Sequence, residues 1–127
     1  MNILITGAFN WSDEQLEKLV ENGKNTLFYQ KIESQESDFS VECIDIVICN
    51  WYFVYHDIKK FSRLKFVQLL SAGMDRIDVD YCNQHGIKLY NARGVYSVPM
   101  AEYALSAVMQ VLKKNAFFYE NQKKEMG

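Results

Sequence analysis

The chain contains 127 residues, and its 14 lysines and arginines against 16 aspartates and glutamates give a formal net charge of −2. A chain of this length buries about two thirds of its unfolded surface, so it can form a core without disulfides or a structural metal. Its basic residues are scattered, and no apolar segment of about 18 residues, the length that crosses a bilayer, occurs. We therefore expect no nucleic-acid partner and no membrane partner.

The three cysteines, Cys43, Cys49 and Cys82, form no C-x-x-C pair and have no histidine at metal-ligand spacing. An odd number of cysteines without a pairing pattern favours a reducing, cytoplasmic setting. The first residues contain no cationic leader before an apolar segment, so we also expect no secretion signal. The sequence thus predicts neither a disulfide framework nor a metal site.

The chain begins with a predicted strand, helix and strand. Asn2–Thr6 is an apolar run of the kind that is buried on both faces of a parallel sheet. Ser12 and Gln15 have the spacing of a capping box, which predicts a helix that begins after Ser12 and stops at Gly23. Thr26–Tyr29 is short and rich in residues that favour strands.

The next stretch, residues 31–41, is polar and acidic, and its serines are candidate caps for a short surface helix. Ile44–Cys49 is a clear strand pattern. After it, His56–Arg63 is predicted as a short amphipathic helix that turns Ile58 and Phe61 toward the core.

Two further strands follow. Phe66–Leu70 is the fourth apolar run, and a helix capped by Asp78 or Asp80 and stopped by Gly86 separates it from Ile87–Tyr90. Five strands that alternate with helices predict an α/β fold with a parallel sheet and right-handed crossovers. The doubly wound five-stranded sheet of flavodoxin type is the arrangement we expect.

The last segment is predicted to be one long helix. Ser97 is a candidate cap, Pro99 is tolerated in the first turn, and no helix breaker follows before Gly127. A helix of about 28 residues is about 42 Å long, which exceeds the roughly 30 Å of a small domain. Its far half still carries apolar residues, so we expect either a second copy of the chain or a following domain to cover them. The residues expected to mediate self-association are Val111, Leu112, Phe117 and Phe118.

The turn after the first predicted strand is a candidate dinucleotide-binding turn. Gly7 is a glycine at the right position, but Phe9 and Ser12 stand where the G-x-G-x-x-G pattern has its other glycines. A bulky residue at the second position blocks the approach of a pyrophosphate. We therefore interpret Gly7 as an ordinary strand-ending turn.

A second turn lies after the fourth strand, at the sheet edge where open α/β folds bind ligands. Its small residues leave backbone N–H groups available for an anion, although an ordinary βα turn has the same composition. The residues of this turn are Ser71, Ala72, Gly73 and Met74. Aromatic residues that follow the neighbouring strand could form a wall of such a pocket, or could simply cover the core.

The remaining reactive side chains are interpreted as structural. His56 and His85 lie at helix ends, and a histidine at the carboxyl end of a helix is favoured by the helix dipole. Cys49 and Cys82 are predicted to be buried, because no adjacent cation in the sequence indicates a thiolate.

Several spaced motifs together resemble one family. They are Leu64–Asp78 (LKFVQLLSAGMDRID), His85–Ile87 (HGI), Asn91–Gly94 (NARG) and Met100–Glu102 (MAE). In this order they resemble the N-terminal part of the D-isomer-specific 2-hydroxyacid dehydrogenases. The resemblance implies a flavodoxin-like substrate domain over residues 1–96. It also implies that the helix over residues 97–127 crosses into an NAD(P)-binding Rossmann domain.

The resemblance also implies a site. The backbone amides of Ala72 and Gly73 would hold the carboxylate of a small 2-hydroxy or 2-keto acid, while Tyr96 and Met100 would approach the nicotinamide of NAD or NADP. The other residues implied to line the substrate are Ser71, Met74, Asn50, Trp51 and Tyr52. The sequence departs from the family at Pro99, where a small residue is usual, at Met100, where valine or isoleucine is usual, and at Tyr103, where histidine is frequent.

Hydride transfer in this family needs a histidine, a carboxylate that tunes it and an arginine, and the resemblance implies that all three lie beyond Gly127. No residue of this chain is assigned a catalytic role. We therefore expect a fragment of an NAD(P)-dependent 2-hydroxyacid dehydrogenase that is inactive alone. The alternative is a free-standing flavodoxin-like module that binds a small carboxylate or dimerises through its long helix.

Overall fold

A computed structural model describes residues 1–21 and 23–125. Its centre is a sheet of five parallel strands in the order β2-β1-β3-β4-β5. The strands are β1 Asn2–Thr6, β2 Thr26–Gln30, β3 Ile46–Cys49, β4 Phe66–Leu69 and β5 Lys88–Tyr90. This order is that of the flavodoxin type, so the predicted fold class is confirmed.

Five α-helices connect or follow the strands. They are α1 Asp13–Val20, α2 Tyr52–Tyr55, α3 Val79–Gln84, α4 Ser97–Leu112 and α5 Asn115–Glu125. Short 3₁₀ turns occur at Val41–Cys43 and Ile58–Lys60. Among the described residues, no helix is long and apolar enough to cross a membrane.

Local capping explains where two helices begin. The Ser12 hydroxyl accepts a hydrogen bond from the Gln15 N–H at 3.3 Å, and the Gln15 side chain accepts one from the Ser12 N–H at 2.9 Å, so the predicted capping box is confirmed. The Asp78 carboxylate accepts from the Tyr81 N–H at 2.8 Å and caps α3. Of the two predicted caps for this helix, Asp78 is therefore the correct one.

Two predicted helices differ from the structure. Residues 31–40 form bends and turns, and Ser40, one of the candidate caps, is the N-cap of the 3₁₀ turn Val41–Cys43 without a side-chain hydrogen bond. The helix expected over His56–Arg63 is replaced by α2, which ends before His56, and by the Ile58–Lys60 turn. His56 is extended at φ −120° and ψ 130°, and Asp57 then accepts a hydrogen bond from the Lys59 N–H, so the helical pattern breaks and restarts.

The hydrophobic core lies against one face of the sheet. Leu4, Val47 and Val67 are register partners on three adjacent strands, and all three are fully buried. Ile58 and Phe61 pack into the same cluster, as predicted, even though the helix expected to carry them does not form. Burial therefore follows the apolar pattern of the sequence more closely than the helical assignment does.

The chain divides into two compact units, Met1–Arg93 and Gly94–Gly127. In the second unit Tyr96, not Ser97, is the N-cap of α4. The predicted continuous helix is also wrong, because Lys114 adopts a left-handed φ of 52° and separates α4 from α5. The last predicted helical positions, 126 and 127, lie outside the described residues.

Candidate functional site

The carboxyl ends of the strands meet at one edge of the first unit. Gly7 follows β1, Asn50 follows β3, Ser71 lies in the turn after β4, and Asn91 follows β5. Open parallel sheets bind their ligands in the crevice outside this edge. The loops there are consequently the candidate site.

The turn after β4 is fixed from both sides. The Ser71 hydroxyl donates to the Gly73 carbonyl at 3.1 Å, and the Asn91 side-chain amide donates to the Ala72 carbonyl at 2.7 Å. The Ala92 N–H also donates to the Ser71 carbonyl, at 2.9 Å. These contacts hold the carbonyls of the turn, whereas the N–H groups of Ala72 and Gly73 donate to no acceptor among the described residues. The turn therefore presents two unused donors on exposed backbone.

Gly73 lies close to the Asp75 side chain. A Cβ added to Gly73 would lie 2.5 Å from the Asp75 Oδ1 atom, so any side chain would displace that carboxylate. Met74, which was expected to line the site, is half-buried and packs against the core cluster. Ser71, Ala72 and Gly73 thus form the accessible part of the predicted turn.

The loop after β3 is organised by Glu33, which the sequence analysis missed. One oxygen of its carboxylate accepts from the Asn50 N–H at 2.7 Å and from the Thr6 hydroxyl at 2.6 Å. The other oxygen accepts from the Trp51 N–H at 2.6 Å. A carboxylate that accepts three hydrogen bonds from two strand ends fixes the loop geometry. No local pattern in the polar segment around Glu33 indicates this role.

Arg76 joins the loop after β3 to the segment after β4. Its Nη1 atom donates to the Asn50 Oδ1 atom at 2.5 Å, and its guanidinium carbon lies 3.6 Å from the centre of the Trp51 ring. Such cation–π stacking is a common arrangement for arginine. The predicted site residues Asn50 and Trp51 are therefore held next to a cation that the sequence analysis did not identify.

The prediction that Tyr52 lines the substrate site is corrected by its burial. The Tyr52 side chain is 0% exposed, and its hydroxyl forms a 2.8 Å hydrogen bond with Ser37. Burial raises the pKa of this phenol, while the hydrogen bond with Ser37 opposes that rise. The short helix α2 turns Tyr52 back into the core and leaves Trp51 exposed at the edge.

A cleft of about 390 Å³ lies beside Trp51, between the loops after β1, β2 and β3. Its lining residues are Gly7, Ala8, Lys31, Ile32, Glu33, Trp51 and Tyr55. In the flavodoxin strand order the neighbours β1 and β3 flank the topological switch point, where such folds bind ligands. No local sequence pattern predicts this cleft, because its walls come from segments distant in the chain.

The turn after β1 does not fit a dinucleotide. A Cβ on Gly7 would overlap the Lys31 carbonyl oxygen, so this glycine permits a close approach between two backbone segments. Asp13 and Glu14 occupy the first turn of α1 and place negative charge where a pyrophosphate would bind. The interpretation of Gly7 as a turn agrees with this geometry, and the close approach adds a reason why it must be glycine.

The two predicted nicotinamide contacts lie in the second unit. Tyr96 precedes α4, and its carbonyl accepts from the Met100 N–H at 3.0 Å, so the two residues are one helical turn apart. Both side chains are exposed. Their role toward a cofactor remains a prediction.

The histidines and buried cysteines have structural surroundings. The His56 ring lies 2.7 Å from the Glu33 carbonyl through Nε2, and the His85 ring lies 2.9 Å from the Tyr81 carbonyl through Nδ1. Cys49 and Cys82 are fully buried as predicted, and burial raises the pKa of both thiols. No group of three potential metal-ligating side chains occurs in the part of the chain that the structure describes.

These features define a flavodoxin-type α/β domain whose turn after β4 carries two unused N–H donors at the carboxyl edge of the sheet. The family model of the D-isomer specific 2-hydroxyacid dehydrogenase catalytic domain matches residues 3–126. The chain therefore belongs to the D-isomer-specific 2-hydroxyacid dehydrogenase family, as the motifs predicted.

Curated relatives include two erythronate-4-phosphate dehydrogenases. The protein of Bacteroides thetaiotaomicron is 26% identical over 113 residues, which cover 86% of this chain and 30% of the relative. The protein of Shewanella loihica is 40% identical over 53 residues, which cover 42% of this chain and 14% of the relative. The chain thus spans less than a third of the length of these two relatives.

Solved structures show the same fold. D-lactate dehydrogenase from Aquifex aeolicus, complexed with NAD and lactic acid, aligns with a TM-score of 0.71 at 21% identity. That alignment covers 97% of this chain and 37% of the other. Phosphoglycerate dehydrogenase from Lactobacillus plantarum aligns with a TM-score of 0.54 at 23% identity, covering 97% and 39% of the two chains.

Proposed function

We propose that this chain is the substrate-binding part of an NAD(P)-dependent oxidoreductase that interconverts 2-hydroxy acids and 2-keto acids. The observation that carries the proposal is the pair of unused N–H donors on Ala72 and Gly73 at the carboxyl end of β4. Two successive backbone donors suit one carboxylate. They also occupy the motif position at which the family resemblance implies that the substrate carboxylate binds.

The surrounding residues would orient the bound acid. Ser71 and Asn91 hold the carbonyls of the turn, so that its shape is set before an acid binds. Asn50 and Trp51 would contact the rest of the acid from the neighbouring loop. Such prior organisation lowers the entropic cost of binding.

The cofactor would supply the hydride when bound, and within this chain Tyr96 and Met100 are the proposed contacts to its nicotinamide. The β1–α1 turn does not fit a pyrophosphate, so we propose that the phosphates of NAD or NADP are held by residues outside this chain. No residue described here has the surroundings of the acid–base histidine of such an enzyme. We expect the 127-residue chain alone to show no NADH-dependent reduction of pyruvate or glyoxylate. Measurable turnover would contradict the proposal that residues outside this chain are needed for catalysis.

Binding can be tested without turnover. In ¹H–¹⁵N spectra of the 127-residue chain, D-glycerate should shift the amide signals of Ala72 and Gly73 in a saturable manner. Gly73→Val should abolish the saturable shift of the Ala72 signal. The valine side chain would displace the Asp75 carboxylate and is expected to cover the two N–H donors. Ser62→Val places the same valine side chain at an exposed position before β4, away from this edge, and should leave binding unchanged. Unchanged Ala72 and Gly73 signals at high D-glycerate concentration would contradict the proposed function.

We further propose a cytoplasmic homodimer. The three cysteines are free, which suits a reducing compartment. None of the residues of α4 or α5 is buried, although both helices carry large apolar side chains. Exposed apolar surface of this extent favours a protein partner, and a second copy of the chain is the partner that is always present.

A further inference from the structure

We propose that the guanidinium of Arg76, held by Asn50 and Trp51, binds a second oxyanion of the substrate, at a distance from the 2-hydroxy acid's own carboxylate. This inference rests on the proposed function. It narrows the substrate class to 2-hydroxy acids that carry a further phosphate or carboxylate.

Arg76 has no counter-ion among the described residues. None of the salt bridges found there includes Arg76, whereas Arg63 and Lys65 share the buried Asp45 carboxylate. The Arg76 side chain is half-buried, and its Nε atom is fully buried without a hydrogen-bond partner in the described part of the chain. The buried Nε is out of a ligand's reach, but a partly desolvated cation without a counter-ion favours an incoming anion at the rest of the guanidinium.

Two contacts already orient the Arg76 guanidinium. Stacking on Trp51 fixes its plane, and the 2.5 Å hydrogen bond to the Asn50 Oδ1 atom fixes its rotation. Only one N–H of the five in a guanidinium is used in this way. Neighbouring donors are also available, because the Asn50 side-chain amide donates to no acceptor among the described residues. A planar group with paired N–H donors matches the geometry of phosphate and carboxylate oxygens.

The guanidinium is held at the strand end next to the Ser71–Gly73 turn. The Leu70 N–H donates to the Cys49 carbonyl at 2.9 Å, so Asn50, which binds the guanidinium, and the turn after β4 leave neighbouring strands. Neighbouring strands lie about 4.8 Å apart. Trp51, on which the guanidinium stacks, also lines the 390 Å³ cleft at the switch point. A short acid with an oxyanion at each end could therefore reach both the Gly73 amide and the Arg76 guanidinium.

The test compares acids that differ only in the second oxyanion, with the 127-residue chain as the protein. D-glycerate carries one anionic group, 3-phospho-D-glycerate adds a phosphate, and D-malate carries a second carboxylate instead. We expect 3-phospho-D-glycerate or D-malate to bind at least about tenfold more tightly than D-glycerate, the gain typical of one charge-assisted contact. The acid that gains affinity identifies the oxyanion.

The variants separate a ligand contact from a structural one. Arg76→Gln should remove that gain in affinity. Its Kd for D-glycerate should stay within about twofold of the Kd of the original chain. Arg76→Lys should keep part of the gain, because it keeps the charge but not the paired donors. Lys59→Gln makes the same change of charge at an exposed turn and should leave the affinity for all three acids unchanged. Equal weakening of all three acids by Arg76→Gln would overturn the proposal, since Arg76 would then only hold the loops together.

A direct signal distinguishes failure of this inference from failure of the proposed function. Inorganic phosphate should shift the Trp51 indole N–H signal in the original chain but not in Arg76→Gln. The Trp11 indole, which donates to the Thr6 carbonyl, serves as the internal reference. If D-glycerate leaves Ala72 and Gly73 unchanged while phosphate still moves Trp51, the proposed function fails and the Arg76 oxyanion site stands. If phosphate, 3-phospho-D-glycerate and D-malate all leave the Trp51 signal unmoved, the Arg76 site is overturned.

Discussion

Glu33 shows how one side chain can determine the shape of a candidate site from a distant segment. Its carboxylate accepts hydrogen bonds from the Asn50 and Trp51 N–H groups and from the Thr6 hydroxyl, and so links them in one network. His56 contacts the Glu33 carbonyl, so side chain and backbone of the same residue both hold the region after β3. The position of Asn50, and through it that of Arg76, consequently depends on Glu33.

Replacing Glu33 by alanine should therefore destabilise the fold and disturb the site. Because it leaves two part-buried donors, the Asn50 N–H and the Thr6 hydroxyl, without this acceptor, we expect a loss of about 2 kcal/mol in the free energy of unfolding. Urea denaturation monitored by circular dichroism measures this loss. Glu36→Ala removes an exposed carboxylate from the same segment and should change stability by less than about 0.5 kcal/mol. Equal effects of the two substitutions would show that the network contributes nothing.

Residues whose partners are close in sequence were predictable, and residues with distant partners were not. The Ser12 and Asp78 caps act over three positions, so their patterns are visible in the chain. Glu33 reaches Asn50 across 17 positions and Arg76 reaches it across 26, and only the assembled sheet edge brings them together. Tyr52 was misplaced for the same reason, because the direction of α2 is set by the core rather than by local sequence.

At the scale of elements, Asp45 links the amino ends of β1, β3 and β4. It is 1% exposed and immediately precedes β3. Its carboxylate accepts from the Asn2 N–H at 2.9 Å and pairs with Arg63 at 3.1 Å and Lys65 at 3.5 Å. The hydrogen bond from Asn2, followed by the contacts with Arg63 and Lys65, holds the pKa of Asp45 below its ordinary value despite the opposing effect of burial. The charged form is thus the one that stabilises the fold.

The lowered pKa of Asp45 determines how the free energy of unfolding changes with pH. The contribution of Asp45 should be complete above the unfolded-state pKa of about 4 and should be lost as the pH falls through the lower folded-state value. Asp45→Asn should therefore be less stable than the original chain at pH 7, and the gap should narrow in urea titrations below about pH 4. Asp38→Asn, at an exposed carboxylate, provides the control. A gap that stays constant from pH 7 to pH 3 would contradict this assignment.

The break between α4 and α5 illustrates an element boundary without a sequence signal. The Lys113 N–H donates to the Met109 carbonyl, and the Lys114 N–H donates to the Val111 carbonyl as the helix tightens. Lys114 then turns into the left-handed region, and its carbonyl accepts from the Phe118 N–H to begin α5. No glycine or proline marks this position, so periodicity alone predicted one continuous helix.

At the scale of the whole molecule, the two units differ in how their apolar residues are covered. The core cluster is drawn entirely from the first unit, which explains why its five-stranded order could be predicted from alternating apolar runs. In the second unit Val111 is 77% exposed and Leu112 is 71% exposed. An apolar groove of about 320 Å³ on α4 is lined by Ala107, Val108, Val111 and Leu112. Apolar periodicity identified this helix correctly, but periodicity does not specify what covers its apolar face.

Self-association through this groove is the final prediction. Val108, Val111 and Leu112 lie on one face of α4, since their spacing matches successive helical turns. Sedimentation velocity of the 127-residue chain should show a dimer whose proportion rises with concentration. Leu112→Lys would place a charge in the groove and should weaken the dimer at least about tenfold.

A matched variant separates loss of the apolar contact from a general effect of charge. Gln110→Lys adds the same charge to the same helix, outside the residues that line the groove, and should leave the dimer intact. A chain that sediments as a monomer at every concentration would contradict the homodimer. If both variants weaken association equally, long-range repulsion rather than the groove governs it, because only a local contact can discriminate between neighbouring positions on one helix.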